Sequence, residues 1–221
     1  MKKIMSLLTT LTLVICLAGC GSSAPAVESS ETTTSDSQIT DASEKESESA
    51  STSATESDTE IETGSKTLVV YFSATGTTKG IAESIADITG ADLYEITAAV
   101  PYTDDDRDWT NSDSRCSIEQ NDTSVRPEIG SETISLEGYS TVYIGYPIWF
   151  AQEPRIMDTF VESYDFTGIT VIPFCTSGSS GIGQSGQDLA DNAGSGNWIE
   201  GMRFAGDALE DEIKEWIDSI A

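Results

Sequence analysis

The stretch Thr67-Leu68-Val69-Val70-Tyr71-Phe72-Ser73-Ala74-Thr75-Gly76-Thr77-Thr78-Lys79 decides the fold. Its first six residues form a continuous run without polar alternation, which predicts a strand covered on both faces, as in a parallel sheet. The run then breaks into hydroxyls and a glycine. Directly after it, Ile81, Ile85 and Ile88 make one stripe with Ala82 and Ala86 beside it, the spacing of a helix. Hydroxyls and bare amides at a helix N-terminus favour an anion, and Gly76 lets a ligand approach the backbone closely. No Gly-Lys-Ser/Thr follows, so this is not an ATP-binding P-loop, nor does it carry the Gly-x-Gly-x-x-Gly of a dinucleotide fold. Alone, the segment reads equally as an anion site or as a polar capping turn with Thr75 or Thr77 as N-cap.

Two further continuous apolar runs, 141–146 and 169–174, predict buried strands, with weaker candidates at 92–96 and 198–204. Ile156, Phe160 and Val161 have helical spacing between them. Over 207–220, Leu209, Ile213, Trp216, Ile217 and Ile220 fall on one helical face. Strands alternating with helices predict an α/β domain with a doubly wound parallel sheet.

The loop Ser73-Ala74-Thr75-Gly76-Thr77-Thr78 resembles the phosphate loop of flavodoxins, which has the form Ser/Thr-x-Thr-Gly-x-Thr after the first strand. Gly145-Tyr146-Pro147-Ile148-Trp149-Phe150 and the small-residue loop Thr176-Ser177-Gly178-Ser179-Ser180-Gly181-Ile182-Gly183 agree with it. The similarity spans nearly all of residues 66–221 and is closest to flavodoxin-like bacterial lipoproteins with a Gly-Tyr-Pro-Ile-Trp signature. It implies a five-stranded sheet of order 2-1-3-4-5, with all three loops at the carboxyl ends of strands, where open α/β sheets bind ligands. The implied cofactor is FMN. Neutral hydroxyls and amides of Ser73, Thr75, Gly76, Thr77 and Thr78 would hold its phosphate. Trp149, with Pro147 and Ile148 setting its loop, would lie against the flavin ring, and Phe150 and Tyr146 are second candidates for ring contacts. Backbone around Thr176, Ser177, Gly178 and Gly181 would meet the polar edge of the flavin. Covalent attachment is not expected, because Asp92 follows Thr89-Gly90-Ala91 where an acceptor site has Ser or Thr.

The chain has 221 residues, 11 Lys+Arg against 38 Asp+Glu, and no histidine. A net charge of −27 argues against nucleic acid and against an electrostatic grip on anionic lipid. Without histidine there is no Ser-His-Asp or Cys-His nucleophile, no His-ligated zinc and no imidazole base. Lys2 and Lys3 precede an apolar run over 4–17 that is too short to cross a bilayer and reads as a secretory signal peptide. It ends in Leu17-Ala18-Gly19-Cys20, which resembles the lipobox of bacterial lipoproteins. That resemblance implies removal of residues 1–19, lipidation of Cys20, and a place in the bacterial cell envelope on the outer face of the cytoplasmic membrane. Residues 20–65 begin with that cysteine and continue as a segment nearly half Ser and Thr, with 11 acids and one base. With almost nothing to bury, the segment is expected to stay disordered as a tether, with a glycosylated stalk or docking tail as the alternative.

The domain from residue 66 carries 8 basic and 27 acidic side chains, a net −19. Residues 97–138 are long and polar, and a crossover helix is expected within about 105–120. Asp104, Asp106 and Asp108 mimic the start of a calcium loop, but Trp109 stands where glycine is required and Arg115 where glutamate is. Cys116 and Cys175, 59 positions apart, are compatible with a disulfide or with two buried thiols.

The leading expectation is an exported, membrane-tethered FMN protein that shuttles electrons to an unidentified redox protein or small molecule, with no catalytic side chain. The domain's acidity would lower the potential of the bound flavin and steer a basic partner. An FMN-dependent NAD(P)H:quinone-type oxidoreductase on the same fold, or a flavin-free extracellular ligand-binding module, is the alternative.

Overall fold

The computed structural model describes residues 66–221. The signal-peptide, Cys20 and tether readings fall on residues 1–65, outside the described residues. The strands are β1 (Lys66–Phe72), β2 (Asp92–Ile96), β3 (Tyr139–Pro147), β4 (Thr170–Thr176), β5 (Asn197–Trp198) and β6 (Met202–Phe204). The helices are α1 (Thr77–Thr89), α2 (Arg115–Asn121), α3 (Arg155–Glu162), α4 (Ser185–Ala193) and α5 (Glu210–Ile220). All strand pairings are parallel, in the order β2-β1-β3-β4-β5, with β6 also paired to β4. This is the expected doubly wound order.

Strand alternation sorts the apolar runs into two cores. Leu68, Val70, Phe72, Val142, Ile144 and Tyr146 face Ile156 and Phe160 of α3 and Leu189 of α4. Val69, Tyr71, Tyr143, Ile172 and Phe174 face Ile81 and Ile85 of α1 and Ile213, Trp216 and Ile217 of α5. Burial on both sides is why β1, β3 and β4 read as continuous apolar runs.

The segment expected as one fifth strand is divided. Ile199 donates to the Val171 carbonyl at 3.1 Å, so Val171 and, two residues on, Pro173 turn their backbone polar groups toward this edge. Pro173 has no N–H to give, and the ladder fails at its level. Three residues separate β5 from β6 there, and Gly201 passes so close that an added Cβ would lie 2.4 Å from the Pro173 carbonyl oxygen.

The crossover differs more from expectation. In place of a helix over 105–120 there is a single 3-10 turn at Asp105–Arg107, then the short α2 capped by Ser114. Side chains compete with the helix for backbone donors. The Asp106 carboxylate accepts from the Thr103 N–H, Asp108 from that of Thr110, and the Asn111 side chain from that of Asp113. Leu209 is also a correction: it precedes α5 as its N-cap and is 72% exposed. Cys116 and Cys175 are buried, free thiols, and burial pushes the Cys175 thiol up to about 12.

Candidate functional site

The strand-to-helix turn after β1 is built for something outside the chain. Gly76 is the N-cap of α1 and sits at φ 86°, the left-handed region that glycine enters without strain. Among the described residues no side chain caps the helix, and no acid occupies its first turn, so its leading amides remain open. Thr75 and Thr77 expose their hydroxyls 3.2 Å apart. The Ser73 hydroxyl oxygen is buried and has no hydrogen-bond partner among the described residues. Thr78 points inward, and its hydroxyl meets that of Thr176 at 2.8 Å. That bond ties the start of α1 to the end of β4.

The opposite lip follows β3. Ile148 donates to the Thr176 carbonyl at 2.9 Å, and Trp149 and Gln152 exchange two backbone hydrogen bonds of 2.9 Å. The turn they close holds Phe150 at φ 51° and Ala151 at φ 63°. Two non-glycine residues in this region store about 1–2 kcal/mol each. The Gln120 side chain of α2 holds the turn down, donating to the carbonyls of Trp149 at 3.1 Å and Glu153 at 2.9 Å. Trp149 is neither purely core nor purely ligand-facing. Its ring meets Phe72 edge-on at 5.7 Å and Tyr102 at 5.1 Å, while also forming cavity wall. Tyr102 is fixed in turn: its hydroxyl donates to Glu119 at 2.6 Å, and the Arg115 guanidinium lies 3.8 Å above its ring.

Between the two lips lies a cavity of about 210 Å³. Of the residues expected at a site, Thr75, Thr78, Pro147, Ile148, Trp149 and Phe150 line it. Ser73 borders an adjoining cavity, and Gly76 and Thr77 stand at the rim of the same turn outside the lining. Thr176 acts through Thr78. Ser177, Gly178 and Gly181 lie outside the lining too; Arg203 of β6 donates to the Ser177 hydroxyl at 3.2 Å and so holds that loop. Tyr146 is a correction. It is fully buried, and its hydroxyl pairs with Ser185 at 3.0 Å, which removes it from any ring contact. Three further wall residues, Arg107, Trp109 and Cys116, come from the crossover. The one trace of them in the sequence is a tryptophan isolated in an acidic, polar run.

Beneath the lip, Glu153, Arg155 and Asp158 form a buried charge cluster. Arg155 bridges the two carboxylates at 3.1 and 3.2 Å. Burial pushes the Glu153 carboxyl up to about 7, with Asp158 adding to the shift.

Residues 66–220 match the family model described as Flavodoxin. The chain belongs to the flavodoxin family. Among solved structures, this flavodoxin-family chain is 46% identical to a protein from Bacteroides uniformis described as a putative flavoprotein, covering 70% of this chain and 99% of that one with a TM-score of 0.67. A protein from Bacteroides eggerthii with the same description is also 46% identical, over 70% and 97%, with a TM-score of 0.66. A Lactobacillus acidophilus flavoprotein solved in complex with FMN is 26% identical, over 69% and 98%, with a TM-score of 0.51. No curated protein matches the chain.

Proposed function

We propose that this chain binds FMN without a covalent bond and carries electrons as a lipid-anchored protein of the bacterial cell envelope. The observation that carries the reading is one cavity joining the uncapped start of α1 to the Trp149–Phe150 lip. The residues fit the cofactor. The orphaned Ser73 hydroxyl, the Thr75 and Thr77 hydroxyls and the α1 amides suit a phosphate, and Trp149, Ile148 and Phe150 suit a flat aromatic ring. FMN supplies the redox chemistry when bound; the chain binds, orients and shields it. Thr89 lies at the far end of α1, about 20 Å along the helix from the turn, with its hydroxyl donating to the Ile85 carbonyl. A threonine placed there supports non-covalent binding.

The test is an absorption spectrum of the purified protein before and after addition of FMN. Bound flavin that is released by acid precipitation supports the proposal; a colourless protein that takes up no FMN refutes it. The anchor rests on Leu17-Ala18-Gly19-Cys20. Cys20→Ser should move the protein from the membrane fraction to the soluble fraction, and unchanged fractionation would refute the anchor.

A further inference from the structure

The domain carries a net −19, yet among the described residues the cavity lining contains no carboxylate and one cation, Arg107. Three of the surrounding acids are engaged within the turn. Asp106 bonds the backbone and hydroxyl of Thr103, Asp108 bonds those of Thr110, and Asp104 pairs with Arg107 from a side chain 96% exposed to solvent. Asp104 faces solvent, which screens its half of the pair, while the Arg107 side chain is 24% exposed and also lines the cavity. The Arg107 Nε is buried and has no hydrogen-bond partner among the described residues. Most other bases are engaged elsewhere: Lys79 with Glu83 and Glu95, Arg115 with Glu119, Arg126 with Glu162, Arg155 with Glu153 and Asp158, and Lys214 with Asp218.

The position of Arg107 indicates which end of a ligand it meets. Its backbone N–H donates to the Thr103 carbonyl at 3.2 Å, one residue beyond Tyr102, whose ring contacts Trp149. Trp109, 73% exposed, follows two residues later and lines the same cavity. Arg107 thus belongs to the crossover segment that also brings Tyr102 and Trp109 to the site, whereas the phosphate end is served by neutral hydroxyls and helix amides. Resting on the FMN reading above, we infer that Arg107 is the ring-end cation of this site: it binds the pyrimidine edge of the isoalloxazine and favours its reduced state, with Trp109 as the aromatic cover beside it. Two-electron reduction places negative charge on that edge at neutral pH, and a guanidinium supplies both charge and N–H donors there. The local field then opposes that of the acidic domain.

The experiment compares wild type, Arg107→Gln and Arg107→Lys in the full chain. It measures affinity for FMN and for riboflavin by flavin fluorescence, and the midpoint potential against reference dyes. Arg107→Gln should weaken FMN and riboflavin by the same factor, and weaken the reduced state about tenfold more than the oxidised state. For a two-electron couple that differential is a midpoint about 30 mV lower. Arg107→Lys, which keeps the charge, should recover most of the potential. An affinity loss confined to FMN would place Arg107 on the phosphate and overturn the inference, as would an unchanged potential in Arg107→Gln. A wild type that binds neither flavin would instead defeat the FMN reading on which the inference rests.

Discussion

The Thr78–Thr176 bond invites a double-mutant cycle. Both hydroxyls are buried, at 1% and 3% exposure, and they meet at 2.8 Å. Thr78→Val keeps the side-chain shape but leaves the Thr176 hydroxyl without that partner in a dry environment. An orphaned buried hydroxyl costs about 1–3 kcal/mol. For a domain of this size, 2 kcal/mol lowers the melting temperature by roughly 4–8 °C. Thr176→Val should cost a similar amount. Combining the two removes donor and acceptor together, so the double variant should be more stable than the sum of the singles, by about 1–2 kcal/mol. Thermal or urea unfolding of the apoprotein reads all four corners of the cycle. The singles should also weaken FMN binding, because the bond fixes Thr78, which lines the cavity in the first turn of α1, against Thr176, whose carbonyl holds Ile148. Additive losses within about 0.5 kcal/mol would show that the two hydroxyls do not stabilise each other, and the clamp would have to be abandoned.

Trp149→Ala should lower both apoprotein stability, by about 2–4 kcal/mol, and FMN affinity, since the ring packs on Phe72 and Tyr102 while lining the cavity; a change in only one, read by calorimetry beside flavin titration, would contradict that double role. Glu153 has a folded-state pKa raised from 4.5 to about 7, so the folded state holds its proton longer and stability contributed by this group is lost as pH rises from about 4.5 to 7. The stability of Glu153→Gln relative to wild type should therefore rise as pH goes from about 4 to 8, and melting curves whose difference does not change with pH would reject the assignment. Gly201→Ala forces a Cβ to 2.4 Å from a backbone oxygen and should cost about 2–4 kcal/mol; a melting temperature within 2 °C of wild type would refute the close approach.

The strands β1, β3 and β4 were legible because both their faces are covered, so their apolar runs stand out against everything around them; their order in the sheet came from the resemblance to flavodoxins. The break between β5 and β6 was not, since its cause, Pro173, lies in the neighbouring strand. α4 was equally silent: it buries Ser185 and Leu189 alone, and one apolar residue makes no stripe. At the site, the Thr-Gly-Thr turn and the Trp149 lip were readable from local chemistry. Arg107, Trp109 and Cys116 reach the cavity only through the path of the crossover. That path is set by Asx-type turns and by the Tyr102–Glu119 and Gln120 bonds, none of which leaves a periodic pattern.

The missing N–H of Pro173 also protects the molecule from its own kind. An uninterrupted edge strand offers a row of free donors and acceptors that a second copy can extend. Here one margin of the sheet is cut into pieces of two and three residues, separated by a stretch that cannot continue the ladder. The other margin, β2, carries Asp92 and Glu95. A second copy approaching margin to margin meets too few consecutive hydrogen bonds on one side and like charge on the other, so edge-to-edge extension of the sheet is disfavoured at both margins.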